Sequence, residues 1–235
     1  VLVCGTGTEV GKTWVCARLL EELRRRGLSV AARKPAQSYD VDSEGSALGG
    51  PTDAEVLAGA SGEDPEQVCA SFRSYHRAMA PPMAAEALGR PGFTVGELVA
   101  ELNWPSVQVS VGVVETAGGV RSPQASDGDG CDLLSVLAPD AVVLVADAGL
   151  GTINDVRLSM GALISVGSTG ADTPILVVLD RYDDRHEIHR RNREWLAERD
   201  GYRVVTLPGE EVALADAIVG PGTSTGQPDP RTRAI

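Results

Sequence analysis

Lysine is almost missing from this chain. Of 21 basic residues only two are lysines, Lys12 and Lys34; all others are arginine. A chain that uses arginine wherever a general positive charge will do keeps lysine for places where a compact ammonium on a slim stem fits and a planar fork does not. Both lysines are therefore candidate functional groups before any motif is considered. Basic charge as a whole is also short: 33 acidic residues give a net charge of −12, which argues against a nucleic-acid or anionic-membrane partner. No apolar run approaches the ~18 residues of a bilayer-spanning helix, and no signal peptide is visible, so a cytoplasmic location is expected. The four cysteines, Cys4, Cys16, Cys69 and Cys131, form no Cys-x-x-Cys pair. They read as small buried apolar residues of a reducing compartment.

What is present is concentrated at the start. Residues 1–13, Val-Leu-Val-Cys-Gly-Thr-Gly-Thr-Glu-Val-Gly-Lys-Thr, run from a β-branched stretch through a glycine-bearing turn into Gly11-Lys12-Thr13. Cys16, Leu19, Leu20 and Leu23 then recur at helical spacing. Strand, loop, Gly-Lys-Thr and helix together make a phosphate-cradling P-loop. Its glycines let successive N–H groups point at phosphate oxygens, and the helix N-terminus adds partial positive charge. Lys12 is placed to reach the β/γ-phosphates, and the Thr13 hydroxyl to hold Mg²⁺. The spacing departs from the usual motif: Thr6 stands where a glycine is normally found, and Gly5 lies one step earlier.

The rest of the chain alternates strands and helices. A strand at 29–33 stops at Pro35, which leaves Lys34 at the carboxyl end, where ligands gather in open parallel sheets. Residues 39–51 form a polar, glycine-rich loop. Thr52-Asp53-Ala54-Glu55 has the form of a capping box, and Asp53 in its first turn favours the helix dipole whatever else it does. A short helix is expected at 83–88 after Pro81-Pro82, and another from the Thr94/Glu97 box to about residue 103. An apolar strand at 107–114 ends in Glu115-Thr116-Ala117-Gly118-Gly119. An unpaired carboxylate on a buried strand is costly, and P-loop proteins use such an acid towards Mg²⁺ and the γ-phosphate. A helix at 131–137 and a strand at 141–146 lead into Asp147-Ala148-Gly149-Leu150-Gly151-Thr152-Ile153-Asn154. The following helix, to about residue 165, offers N–H groups to an anion or is simply a glycine-rich connection. A strand at 175–179 ends in Asp180-Arg181, and a charged helix is expected over 183–199. His186 and His189 lie i, i+3 on it without a third metal ligand, and His76 stands alone. A last strand at 203–207 precedes Pro208-Gly209. The pattern gives a single-domain α/β fold over 1–219, a doubly wound, mostly parallel sheet with helices on both faces. A disordered tail is expected over 220–235.

Five stretches in order, Gly5 to Thr13, Lys34-Pro35-x-x-Ser38, Thr52 to Glu55, Val114-Glu115-x-Ala117-Gly118-Gly119 and Gly149 to Asn154, resemble the ATP-dependent dethiobiotin synthetases. The resemblance reaches to about Pro208, and the longer P-loop is that family's own form. It implies a homodimeric P-loop ligase that closes a ureido ring on 7,8-diaminononanoate with CO₂ and ATP through a phosphorylated carbamate. It implies Lys34 and Lys12 as catalytic ammonium groups and Thr13, Asp53 and Glu115 as Mg²⁺ ligands. The nucleotide would lie on Thr8, Glu9, Val10, Gly11, Lys12, Thr13, Asp53, Glu115, Gly118, Asp180, Arg181, Leu207, Pro208 and Gly209. The diamine would rest on Ser38 and Gly118, and its carboxylate on Thr152, Ile153 and Asn154 across the dimer.

Two positions depart from the family pattern. Thr116 stands where glycine is usual, and Asp180 where an adenine-reading asparagine is usual. An ionised aspartate only accepts, so it suits two adjacent donors, as on guanine, and another nucleoside triphosphate stays open beside ATP. The alternative reading is a regulatory P-loop ATPase of the partitioning kind. Those proteins usually carry a second lysine early in the loop, where this chain has Gly7, and they leave Lys34-Pro35 without a role.

Overall fold

The computed structural model describes residues 1–166 and 173–223. In chain order its elements are β1 Leu2–Gly5, α1 Lys12–Arg25, β2 Val30–Arg33, β3 Gln37–Ser38, α2 Asp53–Ser61, α3 Pro65–Val68, β4 Ser74–Tyr75, α4 Pro81–Ala87 and α5 Val95–Ala100. There follow β5 Val111–Gly119, β6 Pro123–Ala125, β7 Gly128–Asp129, α6 Gly130–Leu137, β8 Val142–Asp147, α7 Thr152–Ser165, β9 Ile175–Asp180, α8 Glu187–Glu194, β10 Arg203–Thr206 and α9 Glu211–Val219. Six strands make the main sheet in the order β10-β9-β8-β1-β5-β2, and every neighbouring pair is parallel. β1 lies between β5 and β8, so the chain winds to one side of it and then to the other. The loop leaving its carboxyl end opens at the switch point where such sheets bind ligands.

The strands are short and nearly all apolar because helices cover both faces. Val3, Val113, Val143 and Val178 face Cys16, Leu20 and Leu23 of α1, Leu57 of α2 and Leu214 of α9. Leu2, Leu144, Val177 and Leu179 face Leu134 of α6, Val156 and Leu163 of α7, and Leu196. A smaller third cluster joins Tyr75, Ala84, Phe93, Leu98, Ala125 and Leu133 under α4 and α5. All four cysteines are buried and free, and burial pushes the Cys4 and Cys69 thiols up to about 12, so they pack as apolar groups.

Several boundaries move from their expected places. The strand expected at 107–114 runs over Val111–Gly119. Val107 is exposed, and pairing begins only where Val30 of β2 faces Val111. β1 then carries the ladder on to Gly119, so Glu115 lies within the strand and not beyond its end. The Thr94 box is present, but its helix stops at Ala100. The charged helix begins at Glu187, after a turn in which the Asp183 N–H donates to His189 Nδ1 at 3.0 Å, and it finishes in a π turn, Trp195–Arg199. α9 was not expected from the sequence pattern. It is fastened to α1 by Arg26, which donates to Asp216 at 2.7 Å and also contacts Glu22 at 2.9 Å. The expected tail falls, from residue 224 on, outside the described residues. No helix among the described residues is long and apolar enough to cross a membrane.

Candidate active site

The P-loop supplies the first part of the site. Gly11 caps α1 with φ +91, a left-handed conformation that glycine adopts without strain. A side chain there would also collide with Asp180, whose Oδ2 lies 1.8 Å from where a Cβ would stand. Lys12 is 7 % exposed and curls back to donate to the Gly7 carbonyl at 2.8 Å. Burial, then the nearby Lys34 charge, lowers its pKa. An anion at the loop would reverse both effects.

Four more elements converge beside it. Lys34, just after β2 and 3 % exposed, lies 2.7 Å from Asp53 Oδ2 and 2.6 Å from Glu115 Oε1. It also donates to the Thr116 carbonyl at 3.3 Å. Burial alone would lower its pKa, but Asp53 and Glu115 outweigh that, and the net shift is upward. The Lys34 charge holds the Asp53 carboxyl below its usual range against the cost of burial. Asp53 is delivered by the Thr52/Glu55 capping box at the start of α2. Glu115 is fully buried on β5.

Thr13 Oγ1 lies 2.9 Å from Asp53 Oδ1 and 2.9 Å from Glu115 Oε1. One hydroxyl proton cannot serve two carboxylate oxygens at once. Glu115 Oε2 is buried with no hydrogen-bond partner among the described residues. Oxygens on adjacent corners of a Mg²⁺ octahedron are about 3 Å apart, given bonds of about 2.1 Å. The spacing, the surplus acceptors and the hard-oxygen chemistry therefore fit that cation.

The other expected residues divide. Gly118 sits at φ +65 with a Cβ position 2.5 Å from Ser122 Oγ and 3.8 Å from Thr8 Oγ1, so only glycine lets the two loops meet. Arg181 joins the P-loop to β8: it donates to the Glu9 carbonyl at 2.7 Å and to Asp147 Oδ2 at 3.0 Å. Leu207 is drawn to the same place, accepting from the Tyr182 N–H and donating to the Leu179 carbonyl, both at 2.9 Å. Pro208 and Gly209 follow it. Ser38 donates to the Met79 carbonyl and makes no described bond to the cluster. Thr152, Ile153 and Asn154 likewise have no described hydrogen bond to it. Thr116 points to the opposite sheet face from Glu115, as strand alternation requires. It is fully buried and its hydroxyl is unpartnered, so its side chain does not stand in the open site.

Two positioning residues carried no sequence signal. Gln37 accepts from the Ala54 N–H at 3.0 Å and donates to Ser74 Oγ at 3.0 Å, which fixes the start of α2 and hence Asp53. Gln124 clasps the Ala117 peptide, accepting from its N–H at 3.0 Å and donating to its carbonyl at 2.6 Å, next to Gly118. A glutamine between motifs looks like any polar residue until the fold brings its backbone partners to it.

The chain is similar to known proteins along most of its length. A family described as an AAA domain matches residues 1–206. An ATP-dependent dethiobiotin synthetase BioD of Rhodococcus jostii is 34% identical over 228 residues, 96% of this chain and 93% of that protein. One of Haloferax mediterranei is 35% identical over 225 residues, 93% of this chain and 88% of that protein. A solved putative plasmid partition protein of Borrelia burgdorferi B31 bound to AMPPNP matches with a TM-score of 0.50 at 12% identity. The match covers 91% of this chain and 87% of that one, and it shows the shared fold alone. The chain belongs to the ATP-dependent dethiobiotin synthetase family of carbon–nitrogen ligases.

Proposed function

We propose that residues 1–219 form a ligase domain that closes a ureido ring on 7,8-diaminononanoate with CO₂ and ATP. One amine adds to CO₂ and releases a proton, giving a carbamate. The carbamate oxygen takes the γ-phosphoryl group as ADP leaves, and the second amine attacks the carbamate carbon and expels phosphate. Phosphoryl transfer of this kind asks for positioning and charge neutralisation rather than covalent help from the protein.

The observation that carries the reading is the cluster of Lys34, Asp53, Glu115 and Thr13, held within 2.6 to 2.9 Å beside Lys12. In it Lys34 is the fixed cation facing the carbamate. Lys12, short of anionic partners, takes the transferring phosphate. Thr13, Asp53 and Glu115 would hold Mg²⁺, which supplies neutralisation of phosphate charge when bound. Gly118 leaves room for backbone contact with the diamine, and Ser38 turns from Met79 to it.

Two features support a second copy of the chain completing the site. Leu150, Leu158 and Ile164 are exposed along α7 and the loop before it. Thr152, at the N-terminus of that helix, has a buried hydroxyl without a partner, in keeping with a carboxylate resting on Thr152, Ile153 and Asn154. The test is phosphate release measured with bicarbonate, Mg²⁺ and ATP. Release that requires 7,8-diaminononanoate and is lost in Lys34→Arg is expected. Nucleotide hydrolysis indifferent to the diamine would sink the proposal.

A further inference from the structure

Arg33 is the one arginine buried among the described residues, at 2 % exposed, and it stands next to Lys34 in the chain. It ends β2, the outermost strand of the main sheet, whose far side has no strand of that sheet beside it. Other groups close that side instead. Glu63 Oε2 accepts from the Ala32 N–H at 2.8 Å, and the Val68 carbonyl accepts from the Lys34 N–H at 2.8 Å. Glu63 Oε1 accepts from Arg33 Nη1 at 2.8 Å. The rest of the guanidinium fork goes to backbone. Nε donates to the Asn103 carbonyl at 2.9 Å, Nη2 donates to the same oxygen, and Nη1 also donates to the Ala32 carbonyl. The Trp104 ring lies against the guanidinium, 5.0 Å from centroid to Cζ, and a side chain at Gly112 would meet that ring at 2.8 Å.

A buried ion pair adds little net stability, since desolvating the two charges offsets their attraction. Stability alone is therefore a weak reason for Arg33 and Glu63. Their place in the fold gives a stronger one. Asp53 opens α2, and Glu63 follows the end of that helix after Gly62, which caps it at φ +81. One helix thus carries the acid that pairs with Lys34 and, past its other end, the acid that ties the strand leading to Lys34. None of the described bonds of Arg33 reaches the reacting cluster, so it acts there only through the backbone it holds.

We propose that Arg33 and Glu63 are positioning residues, which hold the carboxyl end of β2 so that the Lys34 ammonium stays between Asp53 and Glu115. This rests on the ligase reading above, in which Lys34 faces the carbamate. The lysine stem is flexible. Its contacts of 2.7 and 2.6 Å to two carboxylates at once therefore depend on where the strand leaves its Cα.

Two variants unfasten the strand without touching the cluster. Glu63→Gln has one acceptor oxygen and cannot take both the Ala32 N–H and Arg33. Arg33→Lys keeps the charge but loses the planar fork that spans Glu63 and Asn103. Leu134→Ala, at a buried position of α6 outside this network, is the control for plain loss of stability. The first readout is diamine-dependent phosphate release by the full chain with bicarbonate, Mg²⁺ and ATP, after urea unfolding has shown each variant folded at the assay temperature. Both strand variants should lower kcat by roughly 10- to 100-fold, as a small misplacement of a reacting group does. KM for ATP should be kept, and Leu134→Ala should keep kcat. The second readout is spectroscopic. With two lysines in the chain, lysine-selective ¹³C labelling gives two side-chain signals, which Lys34→Arg assigns. A side chain held in one place keeps its two Hε protons distinct, and a loose one averages them. The Lys34 pair should be distinct in wild type and in Leu134→Ala and should merge in both strand variants. Unchanged kcat, or a Lys34 pair that stays distinct, overturns the proposal. Should Arg33→Lys not fold, Glu63→Gln carries both readouts. If wild type gives no diamine-dependent release, the ligase reading fails, and the Hε pair alone decides whether Arg33 and Glu63 hold Lys34 in place.

Discussion

The proposed reacting end and the proposed base end of the site are built on opposite plans. At the reacting end two ammonium groups, Lys12 and Lys34, stand with two carboxylates, Asp53 and Glu115, and Lys34 alone has three oxygen partners within 3.3 Å. Buried charge is tolerable only when paired and hydrogen-bonded in this way. At the proposed base end Asp180 and Asp147 share one exposed arginine, Arg181, and among the described residues Asp180 has no ion-pair partner closer than 3.9 Å. One end is over-determined and poised for a single chemistry. The other is under-paired, so a single side chain there can change which ligand fits.

The largest effects should come from unbalancing the reacting end. Glu115→Gln keeps the shape but removes the charge facing Lys34 and one proposed metal ligand, and it should lower turnover about 10²- to 10³-fold, as loss of one preorganised electrostatic contact does. Lys34→Met leaves Glu115 buried and unpaired and should cost about 3–5 kcal/mol of stability, read by urea unfolding. Unchanged turnover in the first variant and unchanged stability in the second would mean that the two ends are not built differently after all.

The contrast also explains what could be read from the sequence. The reacting end was legible because its parts are chemically loud: a glycine-framed lysine, the only other lysine in the chain, an acid in a capping box and an acid in an apolar strand. The sheet was legible because strands buried on both faces are continuous apolar runs. Strand ends were not, since β5 begins where Val30 happens to meet Val111 and continues because β1 supplies partners to Gly119. α9 was hidden for a related reason. Its stretch Glu211–Val219 holds few turn signals, and its seat is decided by Arg26 and Glu22 on a helix almost two hundred residues earlier. Gln37 and Gln124 escaped because their partners are backbone groups that only the fold assembles.

Intermediate effects are expected from Lys12 and from the cap that delivers Asp53. Lys12 has a lowered pKa, from burial first and the Lys34 charge second. It therefore loses its charge at lower pH than an ordinary lysine, near 10.4, would. KM for nucleotide should climb on the alkaline side before free lysines titrate, and nucleotide binding there should take up a proton, measurable by calorimetry in buffers of different ionisation enthalpy. A flat KM across that range would place the lysine's charge outside nucleotide binding. Thr52→Ala removes the hydroxyl that accepts from the Glu55 N–H at 3.3 Å. It should cost about 1 kcal/mol in unfolding experiments, with a weaker apparent Mg²⁺ affinity as the start of α2 frays.

The smallest effect sharpens the base end. Burial raises the Asp180 pKa, with the Arg181 N–H and guanidinium opposing and Asp147 adding to the rise. Below that raised pKa the group is a neutral acid with one O–H donor and one carbonyl acceptor, the same pair that an asparagine amide presents. Acidification should therefore move the GTP-to-ATP ratio towards ATP in wild type, a several-fold drift within the ~10-fold per unit that a titration allows. Asp180→Asn cannot titrate and should hold its ratio constant over the same range. Arg181 and Asp147 are the same in both proteins, so a drift present in wild type and absent in the asparagine variant belongs to Asp180. Drift of equal size in both proteins would assign it to the nucleotides or to the reacting end, and the contrast between the two ends would then rest on the charge balance alone.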